Sequence, residues 1–113
     1  MENGLPQATR REKLLYFMGR RHGFLVKGNS MAPTLLDGQA VLIDPRARIG
    51  AGDIVLARHP YKQSVKILKR IDRVNTDGSC ELAGDNEAES TDSRTFGPIS
   101  TKDILGKAVC RLK

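Results

Sequence analysis

"SVKILKRIDRVNTDGSCELAG", residues 64–84, is the stretch that decides the fold. Val, Ile and Leu recur through residues 64–74 among basic side chains. A turn signal, Asn75-Thr76-Asp77-Gly78, closes the run, and Cys80–Ala83 returns from it. A long β run, an Asp-Gly turn and a second β run predict a hairpin. Side chains alternate between the two faces of a strand, so Val65, Ile67, Lys69 and Ile71 share one face and Lys66, Leu68, Arg70 and Asp72 the other. Leu68 interrupts the polar face, which implies that the sheet is covered on both sides there.

The same pattern extends outward. Phe24–Lys27, Gln39–Ile43 after Asp37-Gly38, Ile54–His59 after Gly52-Asp53, and Ile104–Arg111 are further short apolar runs set off by turn residues. Before them, residues 1–8 read as a loose tail. Thr9 and Glu12 form a capping box, which predicts a short helix to about Arg21 with Gly23 ending it. Its Leu14, Leu15, Phe17 and Met18 are expected to dock on the domain. The alternative is a basic amphipathic element lying on a membrane or a partner. The expected architecture is mostly β: a compact, coiled or barrel-like antiparallel domain over residues 24–113. A tail and one short basic helix occupy residues 1–23.

A length of 113 residues bounds the chain to one domain, and 11 glycines with 5 prolines agree with many turns. The 19 Lys+Arg against 13 Asp+Glu give a net charge of +6, which permits nucleic acid, membrane surfaces or acidic partners without choosing among them. Aromatic residues make up only 4% of the chain, which argues against base stacking as a main binding mode. Two cysteines, Cys80 and Cys110, are too few for a disulfide scaffold or a structural zinc site, and are read as free thiols with one bridge still open. No run approaches the ~18–20 apolar residues of a membrane span, and no cleavable leader is visible. The reading is a soluble cytoplasmic protein without a transmembrane anchor, cofactor or metal.

Against this background "GNSMAPTLLDG", residues 28–38, poses a chemical question: whether Ser30 is a turn serine or a nucleophile. A serine hydroxyl needs a base. The two histidines, His22 and His59, have no evident orienting Asp and also read as surface residues. Lysine is the other option, since Ser-Lys pairs follow the same logic. A lysine base must act neutral, with its pKa lowered from about 10.4 towards ~8. That requires roughly 3 kcal/mol of destabilisation of the ammonium, which burial can supply. Lys69, between Ile67 and Ile71 on one strand face, is the best placed of the basic residues. The bland account is a lysine snorkelling from a half-buried strand. A third segment, "GDNEAESTDSRTFG" (residues 84–97), reads either as a solvated loop or as a fixed one. In the fixed version Arg94 ties Asp85 to Asp92 and Ser90 orients the Lys69 amine.

Taken together, "GNSMAPTL", "GDIVLARH", "KILKRI", "GDNEAESTDSRTFGPI" and "ILGK" resemble, in order, the boxes of the signal peptidase I superfamily of Ser-Lys endopeptidases. The resemblance covers residues from about 24 to 107. It implies a mostly β fold, Ser30 as nucleophile and Lys69 as general base. It further implies Met31 lining the site, Arg70 following the lysine, Ser90 orienting the amine, Asp92 and Arg94 as a structural pair, and Asp85 within a Gly-Asp-Asn element. Some relatives carry a side-chain hydroxyl two residues before the nucleophile; here that position is Gly28, read as letting substrate backbone approach. The chain lacks the large extra β region and membrane anchor of many signal peptidases. "DPRA", "GDIVLARHPY" and "GDN…ESTDSRTFG" place the resemblance nearest the small maturation proteases of nickel-type superoxide dismutase. That implies a precursor protein as partner, with nickel belonging to the substrate.

Three alternatives stand beside it. They are a general or membrane-associated leader peptidase, a self-cleaving repressor-like switch, and a non-catalytic basic β module that binds nucleic acid. The second is disfavoured because residues 1–23 are too short for a helix-turn-helix domain.

Overall fold

The computed structural model describes residues 4–86, 88 and 97–112. One helix, α1 (Arg10–Phe17), precedes six strands: β1 (His22–Leu25), β2 (Ala40–Asp44), β3 (Ile54–Arg58), β4 (Lys66–Val74), β5 (Cys80–Ala83) and β6 (Ile104–Arg111). They form a single sheet in the order β1-β2-β6-β3-β4-β5, antiparallel at every step. The mostly β, antiparallel architecture expected from the sequence is the one observed.

The hairpin that opened the sequence reading is β4–β5. Its turn closes by bonds from the Asn75 N–H to the Ser79 carbonyl (2.8 Å) and from the Gly78 N–H to the Asn75 carbonyl (2.9 Å), with Gly78 at a φ of 89°. β3 shows why the strands read as apolar runs. Ile54 and Leu56 enter one core cluster, with Leu68, Met31 and Leu35; Val55 and Ala57 enter the other, with Ile71 and Leu82. Alternate residues of one strand thus feed cores on opposite faces, so the central sheet is covered on both sides. Leu68 and Ile71 fall in different clusters, as the mixed pattern of residues 64–74 implied.

β6, last in the chain, inserts between β2 and β3. Gly106 makes the insertion possible, because a Cβ there would stand 2.5 Å from Ile43 Cγ2 and 2.8 Å from the Asp44 carbonyl oxygen. Cys80 and Cys110 are free and buried, and burial pushes both thiols above their ordinary pKa.

Three expectations for the N-terminal region are corrected. Thr9 does cap α1, accepting from the Glu12 N–H at 3.2 Å, but the helix ends at Phe17. Gly19, at a φ of 81°, turns the chain out of it, four residues before Gly23. The apolar side of α1 does not dock: the helix has no buried residue, and Leu14, Phe17 and Met18 are 57%, 88% and 59% exposed. Ion pairs tether the segment instead, with Arg21 donating to Glu12 at 2.7 Å and lying 3.6 Å from Asp44. The segment before the helix is not a loose tail from Leu5 onward. Leu5 packs on the core, the Arg111 N–H donates to the Pro6 carbonyl (2.8 Å), and the Ala8 N–H donates to the Arg111 carbonyl (2.7 Å).

Candidate active site

The loop after β1 is built to hold Ser30 in place. Gly28 opens it at a φ of 80°, and its N–H donates to Asp37 Oδ1 at 2.6 Å, tying the start of the loop to its end. A Cβ at Gly28 would meet nothing within 4 Å. Glycine here serves the positive-φ backbone conformation. Directly after Ser30, Met31 is 1% exposed and Leu35 is wholly buried, so the loop is rooted in the core by the residue next to the serine. The loop also contains a cis Ala32–Pro33 peptide.

On the facing strand, Lys69 is 5% exposed and is the single buried polar or charged side chain among the described residues. Ser30 and Lys69 line one cavity of about 430 Å³, together with Met31, Phe24–Lys27, Ser64 and Lys66–Leu68. Neither His22 nor His59 lines it; the His59 ring instead accepts from the Tyr61 N–H at 3.1 Å. The topology explains the cavity. β1 ends the sheet, and β5 pairs only with the Arg70–Val74 half of β4. Among the described residues no strand covers the far edge of β1 or the β5 side of Lys66–Lys69. Residues from both of these edges line the cavity.

A polar clamp fastens the loop to β4. Arg70 donates to Asp85 from Nε (2.9 Å to Oδ1) and Nη2 (2.8 Å to Oδ2), and from Nη1 to the Gly52 carbonyl (2.7 Å). Thr34 donates to Asp85 Oδ2 at 2.6 Å. Burial acts to raise the Asp85 carboxyl, but the hydrogen bonds from Arg70 and Thr34 and the guanidinium charge outweigh it and hold the group below its ordinary value. Next in the chain, the Asn86 N–H donates to the Ser30 carbonyl (2.8 Å) and Asn86 Nδ2 to the Asn29 carbonyl (3.1 Å). Ser30's own N–H donates to no group among the described residues.

Of the residues singled out from sequence, Ser30, Met31 and Lys69 meet at the cavity, while Gly28, Arg70 and Asp85 support it. Both oxygens of Asp85 are engaged by Arg70 and Thr34; the expected tie from Arg94 lies outside the described residues. Ser90, Asp92 and Arg94 lie outside the described residues. Sequence reasoning missed Thr34 and Asn86. Thr34 has no local signal, since its partner is 51 residues away. Asn86 sat in view within "GDN" without an assigned role.

A family model described as Peptidase S24-like matches residues 14–109, a span that takes in the loop, the lysine strand and the clamp. The chain belongs to the Peptidase S24-like family. Within the signal peptidase I-like superfamily, its relatives include mitochondrial inner membrane protease subunit 1 of Xenopus tropicalis, 32% identical over 111 residues, covering 78% of this chain and 66% of that one. Mitochondrial ATP-independent inner membrane protease subunit 1a of Arabidopsis thaliana is 35% identical over 113 residues, covering 77% and 67%. The human subunit 1 is 32% identical over 106 residues, covering 74% and 64%. This S24-like chain thus spans about two thirds of the length of the curated relatives it matches.

Proposed function

We propose that this S24-like chain is a serine endopeptidase in which Ser30 and Lys69 form the catalytic dyad. One observation carries the reading: the serine on a core-anchored loop and the most deeply buried cationic-type side chain among the described residues face the same cavity. Burial disfavours an ammonium, and a neutral amine is what a base requires. Lys69 takes the proton of the Ser30 hydroxyl as Oγ bonds to the scissile carbonyl carbon. The oxyanion is held by the Ser30 N–H. The lysine returns the proton to the leaving amine, the C–N bond breaks, and an ester remains on Ser30. Lys69 then deprotonates water, which releases the acid and restores the serine. By the family resemblance, Ser90 orients the amine.

The two uncovered strand edges fit a substrate bound as an extended strand, with main-chain hydrogen bonds on both sides. The substrate implied by the sequence resemblance is the propeptide of a nickel superoxide dismutase precursor. Two free, buried thiols fit a reducing compartment such as the cytoplasm. Work at a membrane surface, as a leader peptidase, is a second reading, favoured by the exposed Leu14, Phe17 and Met18 among basic residues of the N-terminal segment.

Purified protein is expected to cleave the dismutase precursor. Ser30→Ala and Lys69→Met should abolish cleavage while the far-ultraviolet spectrum stays unchanged. Full activity in Lys69→Met overturns the dyad. Cleavage of other leaders but not this precursor overturns the substrate alone.

A further inference from the structure

Ser30 has a peptide unit on each side of its Cα, and Asn86 binds both. Asn86 Nδ2 donates to the Asn29 carbonyl (3.1 Å), and the Asn86 N–H donates to the Ser30 carbonyl (2.8 Å). The Asn29–Ser30 peptide is trans. A trans unit is planar, with its C=O and N–H pointing in opposite directions. Holding the Asn29 carbonyl therefore aims the Ser30 N–H. Holding the Ser30 carbonyl as well constrains the backbone on both sides of the serine, and with it the direction of the Cα–Cβ bond. The Asn29 carbonyl also accepts from the Ala32 N–H at 3.1 Å, but that donor belongs to the same loop and moves with it. Asn86 reaches the loop from outside.

Asn86 is itself placed relative to the lysine. Its neighbour Asp85 accepts from Arg70 at both oxygens and from Thr34. Arg70 follows Lys69 in β4 and pairs with Ala83 at the end of β5. Consecutive residues thus join the two reacting segments: Asp85 binds the residue after the lysine, and Asn86 binds the backbone of the serine.

We propose that Asn86 is a positioning residue, whose side-chain amide holds the Asn29–Ser30 peptide plane so that the Ser30 N–H points at the developing oxyanion. The proposal rests on the endopeptidase reading. An oxyanion donor acts on the transition state more than on bound substrate, so its misalignment lowers kcat and leaves KM nearly unchanged. Removing such a donor outright lowers kcat by about 10²–10³, so releasing its hold is expected to cost about ten- to a hundredfold.

The test is steady-state kinetics on a peptide that the native protein cleaves, selected from a randomised dodecapeptide library. Asn86→Leu keeps the branched shape and the backbone N–H but has no side-chain donor. Asn86→Ala removes the side chain beyond Cβ. Both should lower kcat by about ten- to a hundredfold with KM within about twofold. Urea unfolding checks that each variant is folded under assay conditions, so that a smaller active fraction is not the cause. Native kcat in both variants, a loss confined to KM, or a loss in Asn86→Ala that Asn86→Leu does not share overturns the inference and leaves the endopeptidase standing. Should Asn86→Ala fail to fold, Asn86→Leu decides by the same split between kcat and KM. Failure of the native protein to cleave any peptide overturns both.

Discussion

Asp85 joins three parts of the chain through one carboxylate: the serine loop at Thr34, the lysine strand at Arg70 and, through Arg70, the turn at Gly52. Its side chain and that of Arg70 are 17% and 22% exposed, so the charge-assisted bonds are only partly screened. Asp85→Asn is expected to lower stability at pH 7 by about 1.5–3 kcal/mol, measured by urea unfolding. The carboxyl is held below its ordinary value in the fold, so its contribution is present above the unfolded pKa of about 3.9 and is lost as pH falls through the folded value. The gap between native and Asp85→Asn proteins should therefore close below about pH 4. A gap at pH 3 equal to that at pH 7 would show that the charge of Asp85 is not what fastens the loop. In the sequence, Asp85 was visible as a candidate but its bond to Arg70 was not legible, because Arg70 reaches it only after β4 and β5 pair.

At the scale of elements, the strands were legible because each is a short apolar run bounded by turn residues, and β5 and β6 fall where the sequence placed them. The order β2-β6-β3 was not legible, since no local pattern says which strand enters the middle of a sheet. Gly106 is the residue that permits that order. Gly106→Ala should place its methyl against Ile43 and the Asp44 backbone and destabilise by about 1–3 kcal/mol. Thermal unfolding should register this as a fall of at least about 4 °C. Gly50→Ala is the control, because a Cβ there meets nothing within 4 Å. Equal melting temperatures for the two variants would remove the close approach as the reason for glycine. The helix shows the opposite failure. Its N-cap was readable from Thr9 and Glu12, but its apolar residues implied docking that ion pairs through Arg21 replaced.

Over the whole molecule, a charge of +6 and an exposed apolar helix side coincide at the N-terminal segment, where Arg10, Arg11, Lys13 and Arg20 are exposed beside Leu14, Phe17 and Met18. Among the described residues no helix is long and apolar enough to cross a membrane. Surface attachment is a separate matter. If the segment meets lipid, the protein should float with vesicles of phosphatidylglycerol and not with phosphatidylcholine, and Leu14→Ser with Phe17→Ser should weaken flotation several-fold. Equal recovery with both lipids, or none with either, removes the membrane-surface reading.

The sequence by itself determined the β character, most strand positions and the candidacy of Ser30 and Lys69, because alternation, turn chemistry and residue type are local properties. Only the tertiary structure decided that the lysine is buried, that it shares a cavity with the serine, and that Arg70, Thr34 and Asn86 hold the two segments in register. Those outcomes depend on which edges the sheet brings to the cavity, and that is a property of pairings between residues far apart in the chain.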